Sequence, residues 1–314
     1  MSQLVKTQLF LSAITALLAL NNPARLLAQS LHRLPITTVQ ELHDYFNWKP
    51  GKPPIISGHR GGMYEGFAEN SLSSFEHTLE HTPAFFETDP RLTKDSVVVL
   101  LHDATLDRMT TGTGKLSDYT WEEVKKLRLK DAQGRVTQDR IPTLDEAIDW
   151  ARGKTVLNLD HKEVPLSMTA SIIRKHKADA FVMLTVHSPQ QAQYYYRENK
   201  DRMFSAFIKN KDEWEAYEKA GIPASSLIAY IGPAIKPDNK QLYQLLNSKG
   251  IMCMISAASS YDKLADEQER FSAYRAIIED GASILESDRP IDVAQALKPL
   301  RTNQSPSTSA PTKN

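Results

Sequence analysis

Only one cysteine, Cys253, occurs among 314 residues. A single thiol closes no intramolecular disulfide and excludes every cysteine-built metal cage. Charge of one sign is equally scarce in excess: 38 Lys and Arg balance 38 Asp and Glu. That balance excludes a strongly basic nucleic-acid binder, whose affinity comes largely from neutralised phosphates, and an acidic solvating tail protein. No apolar run reaches the roughly 20 residues that a membrane-spanning helix needs. Internal repeats, GxGxxG and P-loop patterns are missing too, which leaves nucleotide-binding folds little support. What remains is ordinary globular composition, 41% hydrophobic and 24% charged. A length near 300 allows two medium domains or one large α/β barrel.

The two ends stand apart from the rest. Lys6 precedes Leu9–Leu20, a 12-residue run without charge that Asn21, Asn22 and Pro23 break. This pattern predicts a signal peptide over 1–28, cleaved after Ala28, and hence export to the periplasm or the medium. No cysteine follows the run, so neither a lipid anchor nor another stable membrane anchor is expected. Residues 29–52 form a lead-in, and 301–314, polar apart from alanine, read as a disordered tail.

From 53 to 300 short apolar runs alternate with helix-like stretches, the pattern of an α/β fold with a parallel sheet. The runs are 55–58, 84–87, 97–101, 156–160, 181–185, 203–207, 227–231, 251–255 and 283–286. The second and third are too close for a crossover helix, which needs about a dozen residues. They are expected to form a hairpin with Lys94, Asp95 and Ser96 near its turn. Counting that hairpin as the extension of one strand leaves eight strands, a (β/α)8 barrel. A capping box at 143–146 and helical periodicity at 166–175, 189–198, 211–219, 238–248 and 263–280 supply the helices. Residues 103–140, without a core-grade apolar run, read as an insertion.

In such a barrel reactive side chains sit at the C-terminal ends of strands. Here those ends carry His59 and Arg60, Glu87 and Asp89, His102 and Asp103, Asp160 and Lys162, and Glu286 with Asp288. Glu87 and Asp89, two apart, point to one face. With Asp160 they make a three-carboxylate, thiol-free set suited to Ca²⁺ or Mg²⁺ rather than Zn²⁺. His59 and His102 can divide general-acid and general-base duty, while Arg60 and Lys162 suit phosphate oxygens. Cations and a divalent metal around two histidines are what phosphoryl transfer requires. Cys253 reads as a small buried residue rather than a nucleophile.

These residues lie in stretches that resemble the glycerophosphodiester phosphodiesterase family: GHRGG at 58–62, AENSLSSF at 68–75, ETDPRLTKDSVVVLLHDATLDRMTTGTG at 87–114, IPTLDEAI at 141–148, LNLDHK at 157–162 and GASILESDRP at 281–290. The resemblance implies a (β/α)8 barrel with an insertion after the His-Asp segment. It implies His59 and His102 as acid and base, Glu87 and Asp89 as metal ligands, Arg60 as a phosphate contact, and Glu69 with Asn70 as braces of the first loop. Lys162 matches the lysine of a Glu-x-Lys motif whose glutamate is the usual third ligand; here that ligand is Asp160, one methylene shorter. The family's tryptophan near the end of the seventh strand is replaced by 252–256, MCMIS, and Glu286 stands where a smaller residue is common. The implied substrate is a small phosphodiester, with neither nucleic acid nor a fixed oligomeric state indicated. Two alternatives stay open: a phospholipase-like relative acting on phosphoinositides or lysophospholipids, and a catalytically silent exported binding protein.

Overall fold

The computed structural model describes residues 30–302. The expected signal peptide lies outside the described residues, as does all of the expected tail except 301 and 302, which close the last helix.

Eight parallel strands form a closed barrel: β1 (Ile55–His59), β2 (Phe85–Thr88), β5 (Leu157–Leu159), β6 (Val182–Val186), β7 (Met203–Phe207), β8 (Leu227–Gly232), β9 (Met252–Ser256) and β10 (Ile284–Ser287). β1 pairs with β2 on one edge and β10 on the other, which closes the ring. The strands are buried almost throughout because helices cover their outer face and side chains fill the inner one. Cys253, fully buried on β9, points outward to the covering helices, its Sγ 3.8 Å from Asn247 Oδ1, and burial pushes its thiol far above the ordinary range.

The hairpin differs from expectation in one respect. β3 (Pro90–Leu92) pairs antiparallel with β4 (Val98–Leu100), so residues 98–100 return against 90–92 and not against 84–87. Both edges of β2 are already taken, by β1 and β5. Only the continuation of the chain beyond Asp89 is open for pairing.

Helices α4 (Leu144–Ala151), α5 (Leu166–His176), α6 (Pro189–Glu198), α7 (Lys211–Lys219), α8 (Asn239–Asn247) and α9 (Glu267–Asp280) follow the periodic stretches. Side chains of Thr143, Ser188, Asn210 and Asp266 accept hydrogen bonds from first-turn N–H groups, which satisfies donors that a helix start leaves open. Helices α1 (Val39–Phe46), α2 (Leu72–His81) and α10 (Pro290–Thr302) lie outside the stretches assigned from the sequence, although α1 carries a capping box of Thr38 and Glu41 and buries Leu42 and Phe46 on one face. In α2 the inward face is half polar: Ser74 and Thr78 are buried beside Phe75 and Leu79. Their hydroxyls donate to the carbonyls of Gly62 and Gly61, so hydrogen bonding replaces part of the apolar stripe. The lead-in holds α1. Its buried Phe46 meets Phe85 edge-on, and Asn47 bridges to Ile251, which places α1 at the N-terminal ends of the strands.

The insertion, with the short α3 (Trp121–Val124), has a core of its own. Leu106, Met109, Leu116, Val124 and Leu129 join Ala68, Val99, Leu101 and Ile141. They are isolated in sequence and meet only in three dimensions, so no apolar run marks them. Tyr119, Trp121 and Leu127 pack against this cluster. These three side chains are half-buried. Among the described residues no helix is long and apolar enough to cross a membrane.

Candidate active site

The C-terminal mouth of the barrel opens into a cleft of about 570 Å³. Strand register decides what faces it. His59 pairs with Glu87, and Glu87 with Asn158, so three polar side chains from β1, β2 and β5 sit side by side. One layer deeper, Ser57 pairs with Glu286, and Glu286 with Ser256. His59, Arg60, Glu69, Glu87, Asp160 and Glu286 all line the cleft.

The first loop is built to make a sharp turn after β1. Arg60 and Asn70 adopt left-handed φ of 53° and 58°, conformations that cluster where neighbouring structure over-determines them. The Asn70 N–H donates to the Arg60 carbonyl at 2.8 Å. Gly61 and Gly62 follow at φ 94° and 103°. A Cβ at Gly61 would come within 2.6 Å of Phe75, and one at Gly62 within 2.7 Å of Tyr64. Glycine is required here for both conformation and space.

Glu87, Asp89 and Asp160 each place a carboxylate oxygen within 4.8 Å of the others. Glu87 is 8% exposed, and its Oε2 is buried without a hydrogen-bond donor. Burial, then the charges of Asp89, Asp160 and Glu286, push its carboxyl well above the ordinary range. Such an oxygen is completed by a cation or a proton. The donor set, all hard oxygens, fits a divalent ion of the Ca²⁺ or Mg²⁺ kind. Burial also opposes the charge on Asp89, but Arg60 and Lys162 outweigh it and keep its carboxyl low. Asn70 braces Asp89 by donating from Nδ2 at 2.8 Å. Lys162 Nζ lies 3.0 Å from Asp89 and 2.6 Å from Asp160, clamping two of the three carboxylates together. Arg60 reaches Asp89 at 3.3 Å and Glu69 at 3.2 Å.

The two histidines are held differently. His59 Nδ1 bonds Asp288 Oδ1 at 2.6 Å, which turns Nε2 toward Glu87, 3.8 Å away. Burial disfavours charge on His59, yet the bond to Asp288 and the charge of Glu286 outweigh it and raise its pKa above 6.5. His102 Nδ1 bonds Asp103 Oδ1 at 2.8 Å. Arg108 donates to Asp103 and also to Glu69. His102 is not among the residues lining the cleft; it stands at the end of the hairpin.

Four participants carry no role in the sequence reading. Asp288 and Asp103 orient the histidines, and Arg108 ties Asp103 to the first loop. His187 Nε2 bonds Asp160 Oδ1 at 2.9 Å, with its ring stacked on Phe207. His187 directly follows β6, the position that marked His59 and His102, so the strand-end rule contains the signal for it. Arg108 leaves no such signal, because it comes from inside the insertion. Glu286 is held by Ser57 at 3.1 Å, and burial raises its carboxyl above the ordinary range.

A parallel barrel whose mouth combines oriented histidines, an acidic cluster and basic groups defines a hydrolase-type site. Residues 59–269 match the family model described as the Glycerophosphoryl diester phosphodiesterase family. The chain is similar to a glycerophosphoryl diester phosphodiesterase of known structure from Parabacteroides distasonis ATCC 8503, at 51% identity and a TM-score of 0.85, covering 86% of this chain and 95% of that one. It is 40% identical over 104 residues to glycerophosphodiester phosphodiesterase 1 of Bos taurus, 32% of this chain and 31% of that protein. It is 36% identical over 104 residues to a glycerophosphodiester phosphodiesterase of Caldanaerobacter subterraneus subsp. tengcongensis, 33% of this chain and 42% of that one. These alignments thus span less than half the length of those two curated relatives. The chain belongs to the glycerophosphoryl diester phosphodiesterase family, a family of phosphoric diester hydrolases. The matched region begins at His59 and contains every nominated site residue through Lys162.

Proposed function

We propose that the protein hydrolyses glycerophosphodiesters to glycerol phosphate and an alcohol, with Glu87, Asp89 and Asp160 holding Ca²⁺ or Mg²⁺. The observation that carries this reading is the buried, donorless Oε2 of Glu87, gathered with Asp89 and Asp160 beside His59. A divalent ion at these carboxylates supplies neutralisation of the charge that develops on the phosphoryl oxygens. Arg60, on the cleft wall, orients the phosphate. One histidine takes the proton from the attacking hydroxyl as its oxygen bonds to phosphorus; that hydroxyl is water's, or it is the glycerol 2-hydroxyl, in which case the resulting cyclic phosphate is opened by water to glycerol phosphate in a second step. The other protonates the alkoxide as the ester P–O bond breaks. Asp288 and Asp103 keep the two rings in their working orientation. Asn158, whose Nδ2 is buried without a partner on the same wall, offers a further donor to substrate. The 12-residue apolar run near the N-terminus supports export of the chain.

The test is an assay of the purified chain against several glycerophosphodiesters, following released glycerol phosphate with and without EDTA. Turnover that EDTA abolishes and Ca²⁺ or Mg²⁺ restores is expected. Turnover unaffected by EDTA would remove the metal from the reading; no turnover of any diester under metal-replete conditions would remove the activity.

A further inference from the structure

Outside the cleft, helix α2 carries a second set of ligand-type side chains. His77, Glu80 and His81, at positions i, i+3 and i+4, place one donor atom each within 4.8 Å of the others. This spacing brings side chains together on one face of a helix. The chemistry differs from that of the barrel cluster: two imidazoles and one carboxylate suit a borderline-soft ion, where three carboxylates suit a hard one.

Three details prepare the set for a cation. His81 Nδ1 lies 2.8 Å from the His77 carbonyl oxygen. A carbonyl only accepts, so Nδ1 carries the proton, and Nε2 of the neutral ring keeps its lone pair for a ligand. Metal-bound histidines are oriented in the same way, through a hydrogen bond from the other ring nitrogen. His77 is fixed in turn: its ring stacks on Phe67 at 4.1 Å between centroids and meets Tyr64 edge-on at 5.0 Å. Glu80 and His81 also lie in the last turn of α2, where the helix dipole favours positive charge.

We propose that His77, Glu80 and His81 form a Zn²⁺-class binding site that is separate from the barrel carboxylates and staples the end of α2. The helix is tied to the first active-site loop, since Ser74 and Thr78 hold the Gly62 and Gly61 carbonyls, and Tyr64 and Phe67 of the same loop rest on His77. An ion on this helix therefore stiffens the support of Arg60 and Glu69 without touching substrate. The proposal does not depend on the diesterase activity.

The test uses the full chain with excess Mg²⁺ present, Zn²⁺ as the probe, and calorimetric titration together with thermal melting. Wild type and Glu87→Gln should both bind Zn²⁺ and melt at higher temperature with it, because the ion binds the folded state. His81→Ala, a surface substitution, should keep its metal-free melting temperature. It should lose the Zn²⁺ shift and bind on the order of 10²-fold more weakly. His77→Ala should likewise lose the Zn²⁺ shift, from a lower metal-free melting temperature because its ring packs on Phe67 and Tyr64. Zn²⁺ binding and stabilisation that survive in His81→Ala would overturn the proposal. Loss of both in Glu87→Gln alone, or no stabilisation of wild type, would overturn it equally.

Discussion

The two halves of the barrel mouth share one backbone geometry and differ in chemistry. The side made by β10, β1, β2 and β5 presents His59, Arg60, Glu87, Asp160, Glu286 and Asp288 to the cleft. The side made by β6 to β9 presents Thr185, Ser205, Phe207, Tyr230, Met254 and Ser256. One half concentrates charge in a partly buried place, where charges must be paired or shared. The other half is uncharged along its strands, with Phe207 and Tyr230 in aromatic contact, their ring centroids 4.6 Å apart. Under the proposed function the difference separates duties: the charged half would act on the phosphoryl group, and the neutral half would shape the space for what is attached to it.

The strongest way to break this division is to neutralise one carboxylate of the charged half. Glu87→Gln should lower turnover by roughly 10³-fold or more, several kcal/mol of charge stabilisation at about 1.4 kcal/mol per tenfold. Steady-state assays with added Ca²⁺ or Mg²⁺ check this, and full activity in EDTA would refute it. Next come the histidines. His59→Ala and His102→Ala should each lower kcat by about 10²-fold or more, and the double variant should be little worse than the poorer single one. A nitrophenyl phosphodiester sharpens the assignment, because its leaving group needs no proton: the general-acid variant should be largely rescued, and the general-base variant should not.

A smaller effect appears in stability. Burial opposes ionisation of Asp160, yet His187 and Lys162 lower its pKa from 3.8 to about 2. A depressed carboxyl contributes stability above its unfolded pKa and loses it as pH falls through the folded one. In EDTA, wild type should therefore lose about 2 kcal/mol more than Asp160→Asn between pH 5 and pH 1, by urea unfolding. Asp288→Asn should lower kcat by about tenfold through misorientation of His59. It should also move the His59 titration downward in an NMR pH series, since the carboxylate that raises it is gone. The smallest effect belongs to the neutral half: Phe207→Ala should change kcat by only a few-fold while altering KM unequally among diesters with different alcohols. A loss of kcat equal to that of the histidine variants would erase the distinction between the halves.

How legible each half was in the sequence follows from the same contrast. Charged residues directly after apolar runs stand out, so His59, Glu87, Asp89, His102, Asp160 and Glu286 can be nominated from position alone. The neutral wall cannot be nominated in this way. Phe207 and Tyr230 look like any strand residue until register turns them toward the cleft. His187 carried the strand-end signal but lacked a partner next to it in sequence. Its partner, Asp160, lies 27 residues away.

Periodicity, caps and strand spacing, all local properties of a chain, determined the eight-strand barrel and the places where chemistry could sit. Contacts between residues distant in sequence decided the rest. The pairing of 98–100 with 90–92 depended on which strand edges remained open. The insertion's core depended on isolated apolar residues meeting. The engagement of Lys162 with Asp89 depended on the pairing of β5 with β2, and that of His59 with Asp288 across 229 residues on closure of the barrel, which brings the last strand beside the first. Hydrogen bonds and ion pairs act over a few ångströms whatever the separation in sequence, so only the folded chain selects the partners.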